Sequence, residues 1–163
     1  MTIQPGTISS TIRQNVRQIE LFSNLSDDEI DILMKHAKIR SLVEDEALFH
    51  QGDNGDFFAI IIDGRIEITK HTEMETPVSL ASLTCGDTLG EMALIDQEAR
   101  SASATAIEPS SVFVLSRKSF DMLVDQYPRC GTKLLRKLAI ILCNHLRKTS
   151  GRFAESIEPS LLT

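Results

Sequence analysis

The apolar positions along this chain change their period twice. From Ser10 onward Ile12, Val16 and Ile19 recur at helical spacing and predict one short amphipathic helix. Ser26 and Glu29 then form an S-x-x-E capping box, with Leu25 and Ile30 placed as its hydrophobic staple. Ile30, Leu33, Met34 and Ala37 continue one apolar face, so this second helix is expected to end near Lys38. From Ile39 the pattern breaks into short segments: Ile39–Leu42, Ala47–Gln51, Phe57–Asp63, Arg65–His71, Val78–Leu83, Arg100–Ala106 and Ser111–Ser116 read as strands. Turn residues separate them, at Gly52-Asp53-Asn54-Gly55, at Asp63-Gly64 and in a Thr72–Pro77 loop, and Asp63-Gly64 between two apolar runs is a strong hairpin signal. Seven or eight short strands at this rhythm predict a barrel or jelly roll.

Beyond Ser116 the period returns to helical. Phe120, Leu123 and Val124 mark a short helix stopped by Pro128, and Lys133 to about Ser150 carries the longest helical pattern in the chain. There Leu135, Leu138, Leu142, His145 and Thr149 recur by threes and fours, with Ala139 and Leu146 widening the stripe. A stripe of this kind either lies on the barrel or pairs with a second copy of itself. The fold class expected is mainly β with flanking helices. A loose arm covers 1–10, one domain covers 11–152 (strands about 39–116, closing helices about 117–150), and a partly disordered tail covers 153–163.

Composition narrows the function more than the fold. At 163 residues the chain fits one domain, large enough to bury roughly 70% of its unfolded surface. A net charge of −6 argues against a surface built for nucleic acid or anionic membrane. Cys85, Cys130 and Cys143 are an odd set without metal-ligand spacing, which predicts a reducing, cytoplasmic setting. No stretch approaches the roughly 18 apolar residues of a membrane span. The start, MTIQPGTISS, lacks the basic and apolar regions of a signal peptide.

The candidate chemistry lies in Gly86 to Ala106, GDTLGEMALIDQEARSASATA. Gly90 and Glu91 open a short apolar run (Met92, Ala93, Leu94, Ile95), a polar turn follows, and Arg100 and Ser101 start a segment of small residues. A glycine lets backbone amides approach a ligand, and one turn of helix aims its first N–H groups at negative charge. Arg100, nine positions after Glu91, adds a charge-assisted fork suited to phosphate oxygens. Glu91 repels a phosphate, so it belongs in such a pocket only if it faces a neutral donor such as a sugar hydroxyl. An anion and a hydroxyl in one small pocket point to a nucleotide; the plainer alternative is a surface ion pair on an ordinary loop.

This string resembles the phosphate-binding cassette of cyclic nucleotide-binding domains, as in the catabolite activator family and protein kinase A regulatory subunits. Those cassettes read G-E-(hydrophobic)-A-L and, after a short loop, R-(T/S/A)-A; here stand Gly90-Glu91-Met92-Ala93-Leu94 and Arg100-Ser101-Ala102. The resemblance covers about residues 18–152. It implies a double-stranded β-helix (jelly-roll) barrel with N-terminal helices and a long C-terminal helix. It further implies that Glu91 accepts the ribose 2′-hydroxyl, that Arg100 pairs with the cyclic phosphate, and that Ser101 and the amides around Ala93 complete the cradle. Thr149-Ser150 closes a string similar to the base-capping helix of catabolite activators, where a Thr-Ser pair contacts adenine and the serine comes from the second subunit. That likeness implies cyclic AMP (cAMP) rather than cyclic GMP as ligand, and a homodimer through the long helix with Leu135, Leu138 and Leu142 on its seam. Gly151, directly afterward, is placed to end the helix and loosen the pair. Since only a short stretch follows the long helix, a freestanding sensor without a helix-turn-helix domain is expected, acting on no DNA and signalling through its dimer or an effector protein.

Two other chemistries fit less well. A metalloenzyme on a β-roll needs clustered ligands, whereas His36, His50, His71 and His145 are scattered, and His145 reads as an interface or satisfied histidine. Nucleophilic catalysis needs a base beside the nucleophile, and Ser101 has no recognisable histidine partner. The acidic Asp27-Asp28-Glu29-Asp31 sits at a helix start, where negative charge is favourable without a metal. The expectation is therefore no catalytic activity, with a nucleotide sensor ahead of a scaffold of the same fold that no longer binds one.

Overall fold

The computed structural model describes residues 2–3, 10–72 and 76–157. Two antiparallel sheets form a β-roll between helices. In chain order the elements are β1 (Thr2–Ile3), α1 (Ser10–Gln18), a 3-10 turn (Glu20–Phe22), α2 (Asp27–His36), β2 (Lys38–Leu42), β3 (Ala47–Phe49), β4 (Phe57–Asp63), β5 (Ile66–His71) and β6 (Pro77–Leu83). Then come β7 (Thr88–Leu89), α3 (Glu91–Asp96), β8 (Ser103–Ala106), β9 (Ser110–Ser116), α4 (Arg117–Gln126) and α5 (Pro128–Ile157). One sheet runs β1-β2-β9-β4-β7 and the other β3-β8-β5-β6, so β-strands distant in sequence pair, the mark of a roll rather than a meander.

The capping box predicted at Ser26 is present in both directions: the Glu29 amide donates to Ser26 Oγ and the Ser26 amide donates back to Glu29 Oε2. The helix it starts stops at His36, two residues before the expected end, because Lys38 already pairs with Val114 in the ladder of β2 and β9. Asp63-Gly64 does join β4 to β5. Among the described residues two short strands had no pattern to announce them, β1 and β7. Two-residue strands carry too few positions to show a period, and β1 places Thr2 and Ile3 against Arg40 and Ile39, inside the span read as a loose arm. The expected strand Arg100–Ala106 begins only at Ser103, since Ala99 and Arg100 are used in pairing with Asn54 and Asp53.

Two apolar clusters fill the interior. The larger joins the helices to one sheet through Val16, Phe22, Leu33, Phe58, Phe113, Leu123, Leu134 and Leu138. The smaller lies between the sheets around Ile61, Ile66, Ala104 and Val112. The long helix differs most from expectation. It starts at Pro128, not Lys133, because a proline at the first helical position loses no hydrogen bond the helix needs. It continues through Gly151 to Ile157, so the glycine neither ends it nor frees Thr149 and Ser150, and the first residues of the expected tail are helical; 158–163 lie outside the described residues. Leu138, expected on a dimer seam, is 1% exposed and belongs to the core with Leu134.

Candidate functional site

The predicted site residues converge on α3 and the chain that follows it. Gly90 is the N-cap of α3 and has φ 79°, in the left-handed region that glycine tolerates. Space also demands it, because a Cβ there would stand 2.2 Å from Arg100 Nη1. Met92 turns outward and is half exposed, whereas Ala93 and Leu94 face inward and hold α3 on the roll.

Arg100 is buried, at 3% exposure, although it is a cation. Its guanidinium lies between two rings, with Cζ 4.2 Å from the centroid of Phe49 and 4.4 Å from that of Phe57. Nη1 donates to the Gly90 carbonyl at 3.1 Å and Nη2 to the Phe57 carbonyl at 2.7 Å, while Nε is buried with no partner. Its backbone is pinned as well: the Arg100 amide donates to Asp53 O and the Gly52 amide donates to Arg100 O, fixing where the side chain leaves the loop. Burial pushes the guanidinium below its ordinary value, and the carboxylates of Asp56, Asp53 and Glu91 act against that. Among the described residues no carboxylate is within ion-pair distance of Arg100. A buried cation that lacks a counter-ion is costly on its own and is offset by an anion.

Glu91, the first residue of α3, is likewise buried, at 6%. The partner that meets it is His145 of α5, with Nδ1 3.2 Å from Oε1. Glu91 at that distance, against the opposing effect of partial burial, raises the imidazole pKa above its ordinary 6.5. The site thus holds a buried cation and a buried carboxylate that are not paired with each other. The carboxylate is instead approached by the long helix.

Ser101 and Ala102 follow Arg100 on the way into β8, Ser101 exposed and Ala102 half-buried. Thr149 and Ser150 are exposed on α5. Thr149 lies one turn past His145, about 6 Å along the axis, so it shares the face that meets Glu91; Ser150 is turned about 100° from it. The helix reaches further still, since Arg152 Nη1 donates to the Leu80 carbonyl of β6 at 3.4 Å.

Several residues of this arrangement were not read from the sequence. His145 was placed on one stripe with Thr149 and read as an interface or satisfied histidine, but its partner, Glu91, was not foreseen, since no local spacing links the two. Phe49 and Phe57, which sandwich Arg100, look like any strand aromatics. Arg117, at the start of α4, donates from Nη2 to the carbonyls of Gly55 and Ala93 and so ties α3 to the loop before β4. Gly55 permits that closeness, as a Cβ on it would fall 2.0 Å from Ala93 Cβ.

Comparison with known proteins shows which chains share this fold. The family model described as "Cyclic nucleotide-binding domain" matches residues 39–127, from β2 through α4. The chain is 29% identical over 128 residues to the cyclic AMP receptor protein of Thermus thermophilus, covering 78% of this chain and 57% of that one. It is 31% identical over 123 residues to the cGMP-dependent protein kinase egl-4 of Caenorhabditis elegans, covering 71% of this chain and 15% of the kinase. It therefore spans little more than half of the first of these relatives and a small part of the second. Among solved structures, a cyclic nucleotide-binding domain from Methylobacillus flagellatus superposes with a TM-score of 0.80 at 30% identity, over 89% of this chain and 82% of that one.

Proposed function

The chain belongs to the cyclic nucleotide-binding domain family, and we propose that it binds a cyclic mononucleotide, cyclic AMP in preference to cyclic GMP, as a regulatory sensor. The observation that carries this reading is Arg100: a buried, pinned guanidinium with an unpartnered Nε and, among the described residues, no carboxylate within ion-pair distance, next to the glycine that opens α3. A single anionic phosphate supplies the missing charge. In this reading Arg100 pairs with the phosphate. Gly90, Ser101, Ala102 and the amides of Met92 and Ala93 line the cradle, and Glu91 accepts the ribose 2′-hydroxyl. Thr149 contacts the adenine amino group, and Ser150 reaches the nucleotide of a second copy.

We assign the second copy to α5. Its exposed residues Leu135, Ala139, Leu146, Thr149 and Phe153, with half-buried Leu142 among them, recur by fours and threes, while Leu134 and Leu138 face the core. That is a heptad stripe along the flank of the helix beside its core-facing positions, and a two-fold axis uses one such stripe twice. The bound state passes through this dimer or to a partner protein. We place the protein in the cytoplasm, where three free thiols persist. Among the described residues no helix is long and apolar enough to cross a membrane.

A second reading, a scaffold of this fold that holds no nucleotide, draws on the two bonds Arg100 makes to backbone carbonyls. Calorimetric titration decides between them. The expected result is saturable binding of cyclic AMP, weakened in Arg100→Ala by about 2–5 kcal/mol, or roughly 30-fold to a few thousand-fold. A folded Arg100→Ala that binds as tightly as the wild type would end the sensor reading.

A further inference from the structure

We propose that His145 is the residue that couples the long helix to the ligand: its imidazolium, paired with Glu91, neutralises the carboxylate beside the incoming phosphate, so nucleotide affinity and docking of α5 weaken together when His145 loses its proton. This rests on the nucleotide reading of the site and adds to it a binding residue and a pH dependence.

The geometry is direct. Glu91 is buried at the start of α3, and the partner it meets is carried by a different element, 54 residues later, at 3.2 Å. A carboxylate has two oxygens. Oε1 faces Nδ1 at 3.2 Å, and among the described residues Oε2 has no hydrogen bond or ion pair, so a sugar hydroxyl and the imidazolium can share one carboxylate without competing. Without the proton on His145, a phosphate entering beside Arg100 meets an uncompensated buried charge of its own sign.

The groups that face His145 set the direction. Glu91 on α3 and Asp87 in the turn before β7 favour its protonated form; Lys148, on its own helix, opposes it. Lys137 and Glu20 stand round the same cavity, of about 190 Å³, but lie 3.7 Å from one another and largely cancel. Nearly half of the His145 side chain is exposed, so its proton exchanges with solvent. Its pKa in the folded protein lies above the ordinary 6.5. The coupling is therefore complete below about 6.5 and is lost as pH rises through the higher folded value.

Titration with cyclic AMP between about pH 5.5 and 8.5 tests this. The wild type is expected to lose about tenfold in affinity across that span, a coupling of ordinary size. His145→Gln should bind weakly at every pH, and His145→Lys tightly at every pH. Affinity that is flat or rises with pH in the wild type, or a His145→Gln profile that follows it, overturns the proposal. A second arm needs no nucleotide: the His145 titration followed by NMR should lie above its ordinary value and fall back in Glu91→Gln. An unshifted His145 overturns the docking role even if nucleotide binds. Absence of binding at every pH overturns the nucleotide reading and the coupling with it, while the NMR arm still decides the contact between α5 and α3.

Discussion

The two halves of α5 are held by different physics. In the first half Cys130, Leu134 and Leu138 are buried against Phe120, Leu123 and the helices before the roll. In the second half Leu146 is 68% and Phe153 67% exposed, and the polar contacts to the roll among the described residues include the ion pair of His145 with Glu91 and the hydrogen bond from Arg152 to the Leu80 carbonyl. Burial of apolar surface is non-directional and indifferent to pH, worth roughly 25 cal/mol per Å². Polar contacts at a surface are directional, worth little each, and depend on the charge of the partners. One continuous helix is thus a core element for about half its length and an adjustable arm for the rest. On the proposed sensor reading that division matters, because a ligand moves only what the core does not hold.

The comparison can be broken first at its apolar end. Leu138→Ala should lower unfolding stability by about 2–5 kcal/mol, whereas Leu146→Ala should change the stability of the monomer by less than about 0.5 kcal/mol in a denaturant titration. Similar losses at the two positions would mean the halves do not differ. Next in size is the association of two copies. Leu142→Asp puts a charge into the heptad stripe and should sediment as a folded monomer where the wild type sediments as a dimer. A wild type that is monomeric at tens of micromolar would remove the second copy from the site and leave Ser150 without a role.

The smallest effect is at the tip of the arm. Thr149→Ala should cost about 0.5–1.5 kcal/mol of cyclic AMP affinity and narrow the gap to cyclic GMP. Equal affinity of the wild type for the two nucleotides would sink the base assignment while leaving the phosphate site as it stands.

Much of this was legible along the chain because the signals are local. The capping box at Ser26, the Asp63-Gly64 hairpin and the strand from Phe57 to Asp63 each depend on residues within a few positions of one another, and each is where it was expected. The run from Gly90 to Ala102 was equally readable, since glycine, short helix and arginine lie within 13 residues. The end of α5 was misread for the opposite reason. Gly151 is a weak helix former, costing about 1 kcal/mol against alanine, but a single unfavourable position does not stop a helix of 30 residues. Leu138 shows the same limit. Its spacing fitted both a seam and a core, and only the place where α4 and α5 pack assigned it to the core.

What the sequence determined by itself was the order of elements, the roll and the residues that open α3, because periodicity, turn chemistry and capping act over short range. The tertiary structure decided which groups meet. It set Arg100 between Phe49 and Phe57, 51 and 43 positions earlier, and among the described residues it brought no carboxylate within ion-pair distance of that cation. It carried His145 back to Glu91 across the whole of β8, β9 and α4. No pattern along a chain records such meetings, since they depend on the angle at which a helix leaves its neighbour, and that angle is set by packing.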